Sequence, residues 1–146
     1  MDRLQRAAIG AAVCAGVILA LAAATRPEIE IQLGGKFGEF RVINHGKSIQ
    51  LNSAVKVQQK VGGEWQDTPV SNFYLIPSCG KGPVPDCVSL LSGATLQPVP
   101  WRGNYCFAQC IVPCNLDGPV PSGTYRYVLT SCDRKRKFVS ASFERK

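Results

Sequence analysis

The chain has 146 residues, a formal net charge of +7, seven cysteines and a single histidine. This length accommodates one globular domain of ordinary size and not two. Hydrophobic residues make up 45% of the chain and the mean hydropathy is zero. These values exclude a disordered chain and a membrane protein with several spans. With one histidine and ten carboxylates, we expect neither a histidine-based metal site nor a catalytic triad.

The first 24 residues differ in composition from the rest of the chain. Arg3 and Arg6 precede an uncharged apolar run, Ala7–Ala24, which ends in three alanines. A basic start, an apolar run and small residues at its end are typical of a secretory signal peptide. The alternative is an uncleaved membrane anchor, because a helix of this length spans ~27 Å, close to the ~30 Å of a bilayer core. Either interpretation predicts that residues 25–146 are exported, with membrane contact only through residues 7–24 if the segment is retained.

The cysteines agree with export. Cys14 belongs to the targeting segment, and an even number in an exported domain predicts disulfides, with 15 pairings left open. The spacing lacks the Cys-x2-Cys pairs or neighbouring histidines of zinc and iron–sulfur sites, so we expect no metal and no cofactor. We expect disulfides to hold the irregular stretch at about 78–115. The six cysteines of the domain are Cys79, Cys87, Cys106, Cys110, Cys114 and Cys132.

Two parts of the chain alternate apolar and polar residues, which predicts strands with one buried face. Between residues 49 and 61 the apolar positions are odd-numbered, Ser53-Ala54 interrupts them, and Gly62-Gly63 turns the chain into a return strand. Near the C-terminus, residues 123–131 and a closing strand form a predicted hairpin with a basic turn. The residues expected on the buried faces are Ile49, Leu51, Val55, Val57, Val61, Tyr125, Tyr127, Leu129, Val139, Ala141 and Phe143.

Further short strands are predicted at 28–33, 37–43, 72–76 and near 95–97, and 14 glycines and 10 prolines favour turns over helices. The total is about seven strands. The pattern predicts an all-β fold, an antiparallel sandwich of two sheets preceded by one N-terminal hydrophobic helix. A small barrel is the structural alternative.

Several short motifs together carry a family resemblance, which covers most of residues 28–146. They are Val42-Ile43-Asn44-His45-Gly46, Val55-Lys56-Val57-Gln58, Gly63-Glu64-Trp65, Ser122-Gly123-Thr124-Tyr125-Arg126-Tyr127 and Ser140-Ala141-Ser142-Phe143. In this order they resemble bacterial immunoglobulin-like domains. The resemblance implies an immunoglobulin-like β-sandwich over 25–146, periplasmic or extracellular, with the Cys-rich stretch as an insertion. The cysteine and tryptophan spacing of antibody domains is absent, so antibody-type recognition is not implied.

Two segments carry the residue types of a binding site. The first is the loop 98–107, where Trp, Arg and Tyr are residue types enriched in binding hot spots; the alternative is that Trp101 and Phe107 cover one end of the core. The second is the basic run, which attracts anionic partners or simply keeps a hairpin tip solvated. The candidate binding residues are Trp101, Arg102, Tyr105, Phe107, Arg134, Lys135, Arg136 and Lys137.

The sequence contains no Gly-x-Ser-x-Gly motif and no Gly-rich phosphate loop, so we expect no catalysis. We expect an exported, non-catalytic immunoglobulin-like module of the cell envelope that binds a protein or an acidic polysaccharide, or serves a structural role. Nucleic acid is not an expected partner, because no series of aromatic residues is available to stack bases. The alternative is a secreted inhibitor of a protease or another hydrolase, which would act through a disulfide-fixed loop.

Overall fold

A computed structural model describes residues 25–77, 83–107 and 116–146. These ranges contain ten strands and no helix, so the predicted all-β class is confirmed. Accordingly, no helix in them is long and apolar enough to cross a membrane. The predicted N-terminal helix lies outside the described residues. The strands are β1 (Ile29–Leu33), β2 (Phe40–Asn44), β3 (Ile49–Asn52), β4 (Lys56–Val61), β5 (Glu64–Asp67), β6 (Cys87–Leu90), β7 (Thr95–Leu96), β8 (Gly123–Thr130), β9 (Lys137–Val139) and β10 (Phe143–Arg145).

The strands form three sheets, and every pairing between them is antiparallel. The largest has five strands in the order β10-β8-β4-β5, with β9 also paired to β8. A three-stranded sheet has the order β1-β2-β7, and β3 pairs with β6 alone. Gly62 and Gly63 have φ angles of 59° and 86°, so the predicted tight turn between β4 and β5 is confirmed.

The structure has ten strands where about seven were expected. β6 was not predicted, residues 72–76 form no strand, and two predicted strands are each divided. The first divides at Ser53, where β3 ends and the chain passes to β4 in a different sheet. The backbone N–H of Ser53 donates to the carbonyl of Asp86 (2.9 Å), and the Ser53 carbonyl accepts from Leu75 (2.8 Å). These bonds satisfy the backbone at the break.

The closing strand also divides, and here the predicted face is wrong. Val139 pairs with Val128 and Phe143 pairs with Tyr125, so the closing strand has one more residue than β8 between these pairs. Such a bulge reverses the alternation along the strand. Val139 is therefore exposed rather than buried, as is Ala141, whereas Phe143 stays packed against the core.

The core is rich in aromatic rings that gather around Tyr127. The Tyr127 ring stacks on Phe40 at 4.3 Å between centroids and lies 4.7 Å from Phe143. Of the predicted buried set, Val61 is also an exception, at 45% exposed, because it adjoins the Gly62-Gly63 turn. The predicted strand at 72–76 is an irregular segment, although two of its residues are buried. The buried hydrophobic cluster comprises Ile29, Ile31, Phe40, Val42, Ile49, Leu51, Val55, Val57, Phe73, Leu75, Leu90, Trp101, Phe107, Val120, Tyr125, Tyr127 and Leu129.

A disulfide joins Cys87, at the start of β6, to Cys132, just after β8. Its Cα–Cα distance of 5.7 Å lies within the ordinary range for a disulfide. Closing a loop with a sequence separation of 45 restricts the unfolded chain, which in the chain-entropy account stabilises the fold by ~4 kcal/mol. Cys106 is also disulfide-bonded. The predicted pairings of Cys79, Cys110 and Cys114 lie outside the described residues.

Candidate functional site

The loop 98–107 is built around a buried tryptophan. Trp101 is 1% exposed, and its indole Nε1 donates to the carbonyl of Asn104 at 2.9 Å. The ring lies 5.6 Å from Tyr125 in an edge-to-face arrangement and 5.8 Å from Phe37. Trp101 therefore fixes the loop to the core and offers no surface to a partner.

A glycine permits this close packing. The backbone N–H of Trp101 donates to the carbonyl of Gly38 at 3.1 Å. A Cβ at Gly38 would lie 1.8 Å from the Trp101 carbonyl oxygen, and Gly38 has a φ of 78°. Only glycine adopts this φ without steric cost and leaves room for the Trp101 carbonyl. The position of the loop therefore depends on Gly38.

The second half of the loop is held by backbone hydrogen bonds. Phe107 is 5% exposed, packs on Phe73 at 4.4 Å between ring centroids, and donates its N–H to Ser71 at 3.0 Å. Tyr105 is half-buried and donates its N–H to the carbonyl of Gly118 at 2.9 Å. Of the four loop residues predicted to contact a partner, Arg102 is the one that is fully exposed.

Arg102 borders a shallow cleft of about 380 Å³ that the sequence did not indicate. Phe37, 42% exposed, and the basic side chains of Arg145 and Lys146 also line it. Glu144 is the acidic residue of the lining, and it accepts a hydrogen bond from the Thr124 hydroxyl at 2.6 Å. Arg145 and Lys146 were missed because they lie far from Arg102 in sequence, and only the pairing of β10 with β8 places them here.

The basic run forms an ordered hairpin tip. The Ser131 N–H donates to the Arg136 carbonyl at 2.9 Å across the tip, and the Arg136 N–H donates to the Ser131 hydroxyl at 3.0 Å. The Asp133 carboxylate accepts from the Ser131 hydroxyl and from the Lys135 N–H. These bonds, the hydroxyl first, hold the pKa of Asp133 below its usual value of 3.8. The tip thus has a defined shape and is not a loose charged loop.

The four basic residues of the tip differ in their contacts. The Arg136 guanidinium pairs with the Glu28 carboxylate at 2.6 Å, which ties the tip to the segment before β1. Arg134, Lys135 and Lys137 are exposed, and Arg134 holds a left-handed φ of 61°. These three cationic side chains therefore face solvent. The structure does not bring them together with Arg102 in one described pocket.

These arrangements offer charge and hydrogen bonding rather than bond-making chemistry. The Glu30 carboxylate accepts a hydrogen bond from Nε2 of His45, in its predicted turn, at 2.6 Å, and this contact is the main cause of the lowered pKa of Glu30. Burial raises the pKa of Tyr127, whose hydroxyl donates to the Gly38 carbonyl at 3.1 Å. Among the residues that the structure describes, no group of three histidine, cysteine or acidic side chains is placed to hold a metal ion.

Comparison with known proteins adds no family to this description. No protein-family model matches the chain, and no curated protein and no solved structure matches it significantly. The functional inference therefore depends on the geometry of the chain itself.

Proposed function

We propose that the chain is an exported, non-catalytic immunoglobulin-like module that binds an anionic polymer in the cell envelope or outside the cell. Export follows from the composition of residues 1–24 and agrees with the Cys87–Cys132 disulfide, since such bonds persist in oxidising compartments. A periplasmic or extracellular location, with or without an inner-membrane anchor, belongs to the same proposal.

The strand pairing supports the immunoglobulin-like assignment. The order β5-β4-β8-β10 corresponds to strands C′, C, F and G of such domains, and β1-β2-β7 corresponds to A, B and E. A second feature agrees with it. The hydroxyl of Tyr125, near the start of β8, donates to the carbonyl of Pro121 at 2.6 Å, which matches the tyrosine corner at the start of strand F.

One observation carries the choice of an anionic partner. Among the eight candidate binding residues, Trp101 and Phe107 are buried and Tyr105 is half-buried, whereas all the exposed side chains are cationic. The exposed set is Arg102, Arg134, Lys135, Arg136 and Lys137. A surface that presents cations and withdraws its aromatic rings recognises its partner through charge, in accordance with the formal net charge of +7.

A comparison of binding to acidic and to neutral polymers tests this proposal. We expect the purified protein to bind immobilised polygalacturonate or polyglutamate saturably and to ignore neutral dextran. Because exposed charges are screened by salt, about 0.5 M NaCl should abolish the binding. Replacing Lys135 and Lys137 by Gln should weaken it, whereas the charge-matched control Lys36→Gln/Lys47→Gln should not. Equal retention on dextran and on the acidic polymers would contradict the proposal.

A second candidate function, inhibition of a hydrolase, has one observation in its favour. Leu116 is 45% exposed beside a segment in which Gly118 and Val120 exchange backbone bonds with the loop, at 2.9 Å each. An exposed apolar side chain next to a braced segment suits insertion into an enzyme cleft. Assays of a panel of proteases and glycosidases with the purified protein separate the two functions. An anion-binding module inhibits none of them, and Leu116→Ala should abolish any inhibition observed.

A further inference from the structure

The five-stranded sheet has one face in the core and one face toward solvent, which we call the outer face. Val57, Tyr125 and Tyr127 point into the core. Successive side chains of a strand point to opposite sides, so the residues between them lie on the outer face. From the strand register, the outer-face residues are Lys56, Gln58, Lys60, Trp65, Asp67, Thr124, Arg126, Val128, Thr130, Lys137, Val139 and Glu144, of which Val128 is 1% exposed.

Four cations form a zigzag line across this face, on β9, β4, β8 and β4 in turn. Lys137 pairs with Thr130 in the first row. In the next row along the strands, Lys56 lies opposite Val128. In the third row, Arg126 lies opposite Gln58. Lys60 occupies the following row, beside Trp65. Rows on one face are two residues apart, about 6.6 Å, so the line is ~20 Å long. We call Lys137, Lys56, Arg126 and Lys60 the cationic stripe.

An aromatic ring stands at one end of the cationic stripe. The Arg126 guanidinium lies 4.2 Å from the ring centroid of Trp65, and the Lys60 ammonium lies 6.0 Å from it. Both distances fall within the reach of cation–π attraction. Trp65 is half-buried, so part of its indole remains open to solvent. The end of the stripe thus combines a partly exposed aromatic ring with two cations.

Hydrogen bonds fix the guanidinium in this position. The Nε of Arg126 donates to Gln58 Oε1 at 2.9 Å, and Gln58 Nε2 donates to Asp67 Oδ1 at 2.7 Å. Gln58 is only 7% exposed, so its amide is held between these partners. Asp67 also lies 3.8 Å from the Lys56 ammonium. A side chain that is already ordered loses less entropy when a ligand binds.

We propose that the outer face binds a linear acidic polysaccharide, with its carboxylates on the cationic stripe and one sugar ring on Trp65. This inference rests on the proposed function and assigns it a surface and a ligand class. Charge complementarity identifies an acidic ligand, and the length of the stripe, ~20 Å over four rows, indicates an extended polymer. The aromatic end favours a sugar over a polypeptide chain, because a flat indole offers its apolar surface to the C–H face of a pyranose ring.

Tryptophan fluorescence gives a direct test, since the chain has two tryptophans and Trp101 is 1% exposed. Acrylamide should therefore quench Trp65 almost alone. We expect polygalacturonate to protect this fluorescence from acrylamide, and polyglutamate of equal charge to protect it much less. The Trp65→Phe variant should show no polymer-dependent change, which confirms the origin of the signal.

Charge-matched variants locate the ligand. Exposed ion pairs are individually weak, so we expect Lys56→Gln/Lys60→Gln to reduce the affinity for polygalacturonate about fivefold to tenfold, and Lys36→Gln/Lys47→Gln less than twofold. Circular dichroism and thermal melting check that each variant folds; all four lysines are exposed. As a second stripe variant, Lys137→Gln should weaken binding further when it is added to the first pair.

The outcomes separate this inference from the proposed function. If polygalacturonate binds without protecting Trp65, and the Lys56→Gln/Lys60→Gln variant binds as the parent does, the outer face is not the site, although the anion-binding function stands. If polyglutamate protects Trp65 equally well, the ligand class is wrong and an acidic polypeptide takes its place. If no acidic polymer binds at all, both the function and the inference are wrong.

Discussion

The two tryptophans of this chain lie in opposite environments. Trp101 belongs to a loop but is 1% exposed, with its Nε1–H bonded to a backbone carbonyl and aromatic rings around it. Trp65 belongs to a strand but lies on the outer face, where the Arg126 guanidinium stacks on it. A residue's secondary structure therefore does not decide its burial; the face of the sheet and the path of the loop do.

This contrast also separates stability from recognition. The region around Trp101 is apolar and close-packed, so its rings hold the fold together. The region around Trp65 has a polar network that runs from Arg126 through Gln58 to Asp67 and Lys56, and Lys60 lies over the Trp65 ring. The buried Gln58 amide at its centre holds the Arg126 guanidinium in place, and the exposed ion pair of Lys56 with Asp67 contributes little to stability.

The largest expected effect on stability comes from replacing each tryptophan in turn, and it compares the two regions directly. We expect Trp101→Ala to lower the free energy of unfolding by ~3–5 kcal/mol, because it deletes a buried ring and leaves a cavity. We expect Trp65→Ala to cost ~1 kcal/mol, mainly the lost cation–π contact with Arg126. Urea unfolding monitored by circular dichroism measures both. Equal losses of stability in the two variants would contradict the different roles assigned to the buried Trp101 and the half-buried Trp65.

The ordered tip, unlike the aromatic region, should make the stability of the fold depend on pH. We expect this effect on stability to be smaller than the loss caused by Trp101→Ala. The pKa of Asp133 is lowered by the Ser131 hydroxyl, so its bonds stabilise the folded state above the usual carboxyl pKa of 3.8. That contribution is lost as the pH falls through the lower, folded-state value. Asp133→Asn should therefore reduce stability at pH 7 and flatten the loss of stability on acidification below pH ~4.

The matched control is a carboxylate with no such bonds. Glu64, exposed on β5, supplies this control through the Glu64→Gln variant. Thermal melts between pH 3 and pH 7 compare the two variants with the parent protein. An unchanged acid profile in Asp133→Asn would show that the tip is not held by this carboxylate.

Period-two patterns predicted most of the fold. The alternation along 49–57 and 125–129 correctly placed residues such as Leu51, Val57 and Tyr127 in the core. This works because the side-chain period of a strand is fixed by its backbone geometry. The breaks were harder. The bulge before Phe143 shifts the alternation by one residue, and nothing in the local sequence distinguishes it from a regular strand.

The sites were predicted less well, because they depend on contacts between distant residues. Residue type alone indicated Trp101 and Arg102 as a pair, but Gly38 and Phe37, more than sixty residues earlier, bury the first and leave the second exposed. Disulfide pairing is equally non-local. Cys87 and Cys132 are brought together by the sheets that contain β6 and β8. The sequence alone therefore left fifteen sets of pairings open, whereas the structure shows the Cys87–Cys132 disulfide.

The most direct test of the account follows both indole N–H signals in one titration. In a ¹⁵N–¹H correlation spectrum, the two tryptophans give two indole cross-peaks, and Trp65→Phe assigns them. On addition of oligogalacturonate, we predict that the Trp65 signal shifts saturably while the Trp101 signal, hydrogen-bonded to Asn104, stays in place. A shift of the Trp101 signal with the Trp65 signal unmoved would contradict the account and return the binding site to the loop.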